Sequence, residues 1–336
     1  MSTLATHLSD LTGAALLPII GERPKRICLL DPPAHSNVGD SAILIGELDF
    51  LRRHYPDAEI MFFDGGNYSE SCDRFIEGAD ILLLHGGGNF GDLYPYHHAF
   101  RLKVLQRFPS MRIVQFPQSV CFEDPSSLQT TAEVIRQHRD FWLFVRDENS
   151  LEFCSANFVC ETRLCPDMAY SMNPIHRAQP TVDYLCLLRA DKEVAIDHEA
   201  ALQYLSENSR SVEVQDWLVA PRSVVHLGDK LLSRAWLNCP ISIEPTRTLA
   251  RHLREHHARR RVSVGVDILS RGRRVVTDRL HAHILSCLLG VEHFVFDSLD
   301  GKVGAYYQTW TKDEPVAHFV RSMDEFAGLV STARLH

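Results

Sequence analysis

The chain has 336 residues, 45% of them hydrophobic and 23% charged, which excludes a wholly disordered, collagenous or coiled-coil protein. With 35 Lys and Arg against 43 Asp and Glu the net charge is −8, which makes a poor general polyanion binder, so nucleic acid is not expected as a partner, while local basic spots can still capture a small anion. A length above 300 residues suggests two domains, since one domain takes roughly 100–200.

Nine cysteines are scattered without CxxC spacing, several inside apolar runs such as Ile27-Cys28-Leu29-Leu30. This predicts reduced, buried thiols in a cytoplasmic protein, with no disulfide framework and no metal site. The apolar run Ala14–Ile20 contains a proline and lacks a basic leader, so neither a signal peptide nor a membrane span is expected there.

In chain order, Arg26–Asp31, Glu59–Phe63, Ile81–Leu84, Ile113–Phe116 and Phe141–Val145 read as strands buried on both faces. Between them, Ser41–His54 places Ile43, Leu44, Leu48 and Leu51 on one helical face, and Ser127–His138 forms a second helix. Asn173–Thr181, with two prolines and no hydrophobic period, reads as a linker. A second series follows: strands at Tyr184–Leu188, Val212–Val214, Arg274–Thr277 and His293–Phe296, and helices at Thr246–His257 and Leu280–Leu289. The pattern predicts an α/β protein of two Rossmann-like domains, 1–174 and 181–312, with a central cleft. Residues 313–336 form an amphipathic segment expected to pack back on the first domain.

Ligands on parallel sheets bind at the carboxyl ends of strands, and four loops there carry polar chemistry. Asn37-Val38-Gly39-Asp40-Ser41 opens a helix that Asp40 or Ser41 can cap, and its free amides favour an anion or a sugar oxygen. His85-Gly86-Gly87-Gly88-Asn89 lets backbone approach a ligand closely, yet is neither a Walker A loop nor a dinucleotide fingerprint. Tyr94, Tyr96, His97 and His98 beyond it line a pocket or sit on the surface. Pro117-Gln118-Ser119 suits a hydroxyl-rich ligand, and nearby Arg146 either meets an anion or pairs with Asp147 or Glu148. Arg279 and His281, two residues apart at a strand-to-helix junction, offer an oxyanion clamp beside a titratable group, and Lys302 supplies a further cation. Arg254, Arg259, Arg260 and Arg261 read as a solvated helix end.

Taken together, these segments resemble the polysaccharide pyruvyl transferase family. The resemblance runs in order through Asn37–Asp40, Gly86–Asp92, Pro117–Ser119, Arg146–Ser150, Asp278–His283 and Gly301–Val303. It implies a fold similar to the two-domain GT-B glycosyltransferases, with phosphoenolpyruvate as donor and no cofactor. It implies a saccharide acceptor, in some pathways lipid-linked at the inner face of the membrane, and a ketal-linked pyruvate as product with phosphate released. By the same resemblance Arg279, Leu280 and His281 bind the donor, with Arg146, its rival Arg189, and Lys302. Asn37, Asp40, Gly87, Gly88, Asn89 and Gln118 fall on the acceptor side. His281 is either the acid/base or a ligand of the phosphate. A nucleotide-sugar glycosyltransferase and a non-catalytic sugar- or phosphate-binding relative remain as alternatives.

Overall fold

The computed structural model describes residues 3–33, 37–189, 198–217 and 244–333. Among them the strands form two all-parallel sheets, one of seven strands and one of five, which makes a mixed α/β fold. The first sheet is built from β1 (Arg26–Leu30), β2 (Glu59–Phe63), β3 (Ile81–Leu84), β4 (Gly87–Gly91), β5 (Ile113–Cys121), β6 (Phe141–Val145) and β7 (Glu161–Leu164). Its order is β2-β1-β3-β5-β6-β7, with β4 pairing on β5. The second comprises β8 (Val182–Leu187), β9 (Val212–Val214), β10 (Gly272–Thr277), β11 (Glu292–Phe296) and β12 (Ala317–Val320), ordered β12-β11-β10-β8-β9.

Alternation along each strand sorts the apolar side chains into layers. Ile27 and Leu29 of β1 point into a central layer, while Cys28 and Leu30 point to an outer one. Leu185 and Leu187 of β8 enter the same central layer, and Tyr184 and Cys186 face away from it. One continuous apolar core therefore lies between the two sheets. It is filled by the helices α1 (Thr3–Ile20) and α2 (Val38–His54), with the long helix Glu244–Arg271, here α8, and Leu280–Leu289, here α9. The chain crosses from one sheet to the other through residues 173–181, which carry no regular element.

Outer helices cover the far faces: α3 (Asp73–Ile76), α4 (Pro95–Arg107), α5 (Pro125–Gln137) and α6 (Glu148–Asn157) on the first sheet, and α7 (His198–Asn208) on the second. A short α10 (Lys302–Tyr306) runs into a π-helical turn, Tyr307–Thr311.

Two expectations are corrected, and one apolar run proves longer than its sequence suggests. The segment from 313 does not return to the first sheet. Its strand β12 extends the second sheet beside β11, and α11 (Met323–Ala333) sets Phe326 and Val330 on Phe294 and Phe296. The outer face of β11 is adjacent in the chain and apolar, so it takes that helix; residues 334–336 lie outside the described range. The Arg254 cluster is not simply a solvated helix end. Arg254 is buried, 2.6 Å from Asp64, and Arg259 reaches Asp49 on α2 at 2.7 Å. The Ala14–Ile20 run belongs to an 18-residue helix that is long and apolar enough to cross a membrane, and here Ala5, Leu8, Leu16 and Ile19 of that helix are buried in the central layer.

Eight of the cysteines fall among described residues, and all eight are free thiols; Cys239 lies outside them. Burial raises the pKa of Cys121, Cys154, Cys160, Cys165, Cys186 and Cys287, to about 11 for Cys160 and about 12 for Cys186.

Candidate functional site

A cavity of about 380 Å³ opens where the strand ends of both sheets meet. Two helix N-termini border it. Asn37 caps α2 by accepting from the Gly39 amide at 2.8 Å, a role expected of Asp40 or Ser41, and Arg279 occupies the cap position of α9. Both ends present a positive dipole terminus to the same space.

From the first half, Asn37, Asp40, Gly88, Asn89 and Arg146 reach the wall; from the second, Arg189, Arg279, Leu280, His281 and Lys302 do. Ten of the twelve expected site residues therefore converge, although the sequence separates them by up to 265 positions (302 − 37). Gly87 and Gln118 stand behind the wall. Gln118 is fully buried and its side-chain amide is engaged by His85 and Asn89, so it braces the glycine loop instead of meeting an acceptor. Tyr94 and His97 reach the cavity, whereas Tyr96 is exposed and His98 is buried against Thr131.

Arg146 does not pair with Asp147 or Glu148. Its Nε donates to Ser119 Oγ at 3.0 Å, and Nη1 donates to Asp167 at 2.7 Å. Ser119 in turn donates to Asp147, which also caps α6. The guanidinium is thus fixed by three strand ends of the first sheet. A β-carbon at position 88 would stand 2.8 Å from Arg146 Nη2, which accounts for the glycine there.

Asp167 is completely buried and was not singled out by the sequence pattern. Its oxygen lies 3.5 Å from His281 Nε2, across the join between the halves. Burial opposes its charge, but the His281 imidazole and the Arg146 guanidinium outweigh this and hold the carboxyl far below the usual range. His281 rests on Gly39, where a β-carbon would come within 2.5 Å of its Nδ1.

Arg279 pairs with Asp216 at 3.0 Å, not with Asp278, whose carboxylate accepts from the Arg189 amide. Arg279 Nε is buried without a hydrogen-bond partner, and His281 Nε2 is buried with Asp167 Oδ2 3.5 Å away. Lys302 bridges to Asp300 at 2.6 Å, and both line the cavity. Four cations thus converge on the cavity, three of them paired with the carboxylates of Asp167, Asp216 and Asp300.

One histidine and cysteine cluster lies outside the cavity: His283, Cys287 and His293, all buried, with ligand atoms within 4.8 Å of one another. Its hydrogen bonds test whether a metal fits. His293 Nδ1 lies 2.8 Å from the Val291 carbonyl, which only accepts, so Nδ1 carries hydrogen and Nε2 the lone pair. His283 Nδ1, 2.7 Å away, donates to that lone pair, and His283 Nε2 accepts from Thr311 at 2.8 Å. Both imidazoles have their lone pairs engaged, and burial keeps them neutral, lowering His293 to about 4. Those hydrogen bonds engage the lone pairs that a metal would use, so the cluster reads as a hydrogen-bonded chain.

The polysaccharide pyruvyl transferase family matches this sequence over residues 37–300. The chain belongs to that family. The match begins at the α2 cap, ends at Asp300, and contains nearly all the motif segments that carry the resemblance. Among curated pyruvyl transferases, Pyruvyl transferase 1 of Schizosaccharomyces pombe is 33% identical over 302 residues, 85% of this chain and 70% of that one. A putative pyruvyl transferase of Bacillus subtilis, EpsO, is 31% identical over 321 residues, 92% of each chain. A crystal structure of a functionally uncharacterized Klebsiella pneumoniae protein superposes with a TM-score of 0.56 at 18% identity. It covers 96% of this chain and 100% of that one, a likeness of fold alone.

Proposed function

We propose that this pyruvyl transferase takes pyruvate from phosphoenolpyruvate and joins it to two hydroxyls of a saccharide, as a ketal, with release of phosphate. The observation that carries this reading is that Arg279, whose buried Nε has no hydrogen-bond partner, and His281 share a cavity with Arg146, Arg189 and Lys302. Phosphoenolpyruvate brings a carboxylate and a phosphate close together, and a pocket for it needs several fixed cations despite the acidic whole.

The chemistry follows from the atoms. The donor's C3 gains a proton while one hydroxyl oxygen bonds to C2. The second hydroxyl oxygen then bonds to C2 as the bond to phosphate breaks, phosphate keeping the electron pair. Two hydroxyl protons are released, one matching that gained at C3 and one leaving with phosphate. His281, held against the anionic Asp167, serves as the acid that protonates C3, and Arg279 binds the phosphate. The two sheets act as the halves of a GT-B-like clamp, with the acceptor on the first half. The reading places the reaction in the cytoplasm, with lipid-linked saccharides of the inner membrane face among the acceptors.

A thermal-shift titration with phosphoenolpyruvate, with UDP in parallel, tests the donor. Phosphoenolpyruvate should raise the midpoint as its concentration passes the dissociation constant, and Arg279→Ala should abolish the rise. Stabilisation by UDP alone would make the protein a nucleotide-sugar transferase instead. His281→Ala should leave the fold intact and lower phosphate release by at least about 100-fold.

A further inference from the structure

We propose that His97 is the general base of the acceptor side, oriented by Asp31; this rests on the donor reading above. Ketal formation removes a proton from each of two hydroxyls, and His281 with Asp167 stands on the donor side. The first half brings its own imidazole to the same cavity, on the second turn-forming residue after Pro95 of α4.

The geometry is that of a base held by a carboxylate. His97 Nδ1 lies 2.9 and 3.0 Å from the two oxygens of Asp31. A carboxylate only accepts, so Nδ1 carries a hydrogen and Nε2 is the nitrogen that can exchange a proton with a hydroxyl. Asp31 is itself fixed, 3.2 Å from Arg101, with both side chains about 1% exposed. His97 is 22% exposed and forms part of the cavity wall, so the ring is accessible where its carboxylate is not.

Asp31 is also the one described non-glycine residue with positive φ, at 61°. It precedes Pro32, and the residue before a proline is normally held to extended backbone. A strained aspartate at the carboxyl end of β1, turned so that its carboxylate meets a cavity histidine, is backbone conformation put to positional use. In the closing step the acceptor O–H bond breaks and its proton passes to His97 Nε2. The freed pair forms the O–C2 bond, and the C2–O bond breaks with its electrons leaving on phosphate.

The test uses phosphoenolpyruvate with p-nitrophenyl glycosides of galactose, glucose and mannose as acceptor probes, reading phosphate release and the phosphoenolpyruvate thermal shift. His97→Gln should keep the thermal shift and the KM for phosphoenolpyruvate while kcat falls at least about 100-fold. His97→Gly should recover turnover when imidazole is added, which a packing role would not allow. Asp31→Asn, the substitution best tolerated at positive φ, should lower kcat about tenfold at unchanged KM. Turnover of His97→Gln within about threefold of wild type, with Asp40→Asn inactive, would overturn the proposal in favour of Asp40. A wild-type chain that neither shifts with phosphoenolpyruvate nor releases phosphate from it would overturn the donor reading itself, before any variant is made.

Discussion

At the scale of single residues, the site depends on what two glycines leave out. Gly39 gives its space to His281 and Gly88 gives its space to Arg146, each across a gap that a methyl group would close. Gly39→Ala adds a good helix former to the first turn of α2, but its β-carbon would stand only 2.5 Å from Nδ1 and 2.7 Å from Cγ of His281, so overpacking outweighs the helix gain and stability should fall modestly. The His281 ring must shift by roughly an ångström, and displacement of that size costs on the order of 100-fold in rate. Phosphate release should therefore fall about 100-fold while the melting temperature falls only by a few degrees. Equal loss of both would mean that His281 supports the fold more than the chemistry. The sequence showed the glycines as loop-formers but not what they make room for, because His281 lies 242 positions away (281 − 39) and only the fold brings them together. Asp167, Asp216 and Asp31 were missed for the same reason. A lone aspartate at a strand end carries no spacing signal, and its role appears only when a cation or imidazole from another element arrives.

At the scale of elements, the segment after β11 closes the site. Trp310 of the π-helical turn donates to the Arg146 carbonyl at 2.9 Å, and Thr311 joins the His283–His293 chain that ties α9 to β11. The helix bearing His281 is thus held at its core-facing side by buried imidazoles. His293→Phe would orphan the buried Nδ1–H of His283, costing about 1–3 kcal/mol, and should lower the melting temperature by a few degrees. Because the imidazole lone pairs are engaged, dialysis against EDTA should leave the melting temperature unchanged. A fall on dialysis that zinc reverses would show a metal in the cluster. Strand positions were legible from buried apolar runs, with β2, β3 and β6 matching the expected limits. Helix α1 and the short β4 were not. α1 carries its apolar residues without a sharp stripe, and β4 is glycine-rich, so neither gives a clean period.

At the scale of the whole molecule, the two halves are fastened by charge as well as by the shared core. Glu255 of α8 meets Arg52 of α2, with Nη2 to Oε2 at 2.6 Å, and accepts from Arg259, which itself reaches Asp49 of α2. No sequence period announces such a bridge, since both helices show ordinary charged faces and only their packing opposes them. Burial raises the cost of the Glu255 charge, but the two guanidinium groups outweigh it and lower its pKa from 4.5 to about 2. The sign of the pH effect follows from that depression. Between about pH 4.5 and pH 2 the unfolded chain takes up a proton that the folded chain refuses, so stability is present above this window and lost as pH falls through it. The contribution at neutral pH is on the order of 2 kcal/mol. Glu255→Gln should therefore be less stable by about that amount in urea unfolding at pH 7, and the gap should close as the pH approaches 2. A gap that stays constant with pH would assign the loss to packing, and the bridge would then hold the halves in register without stabilising them.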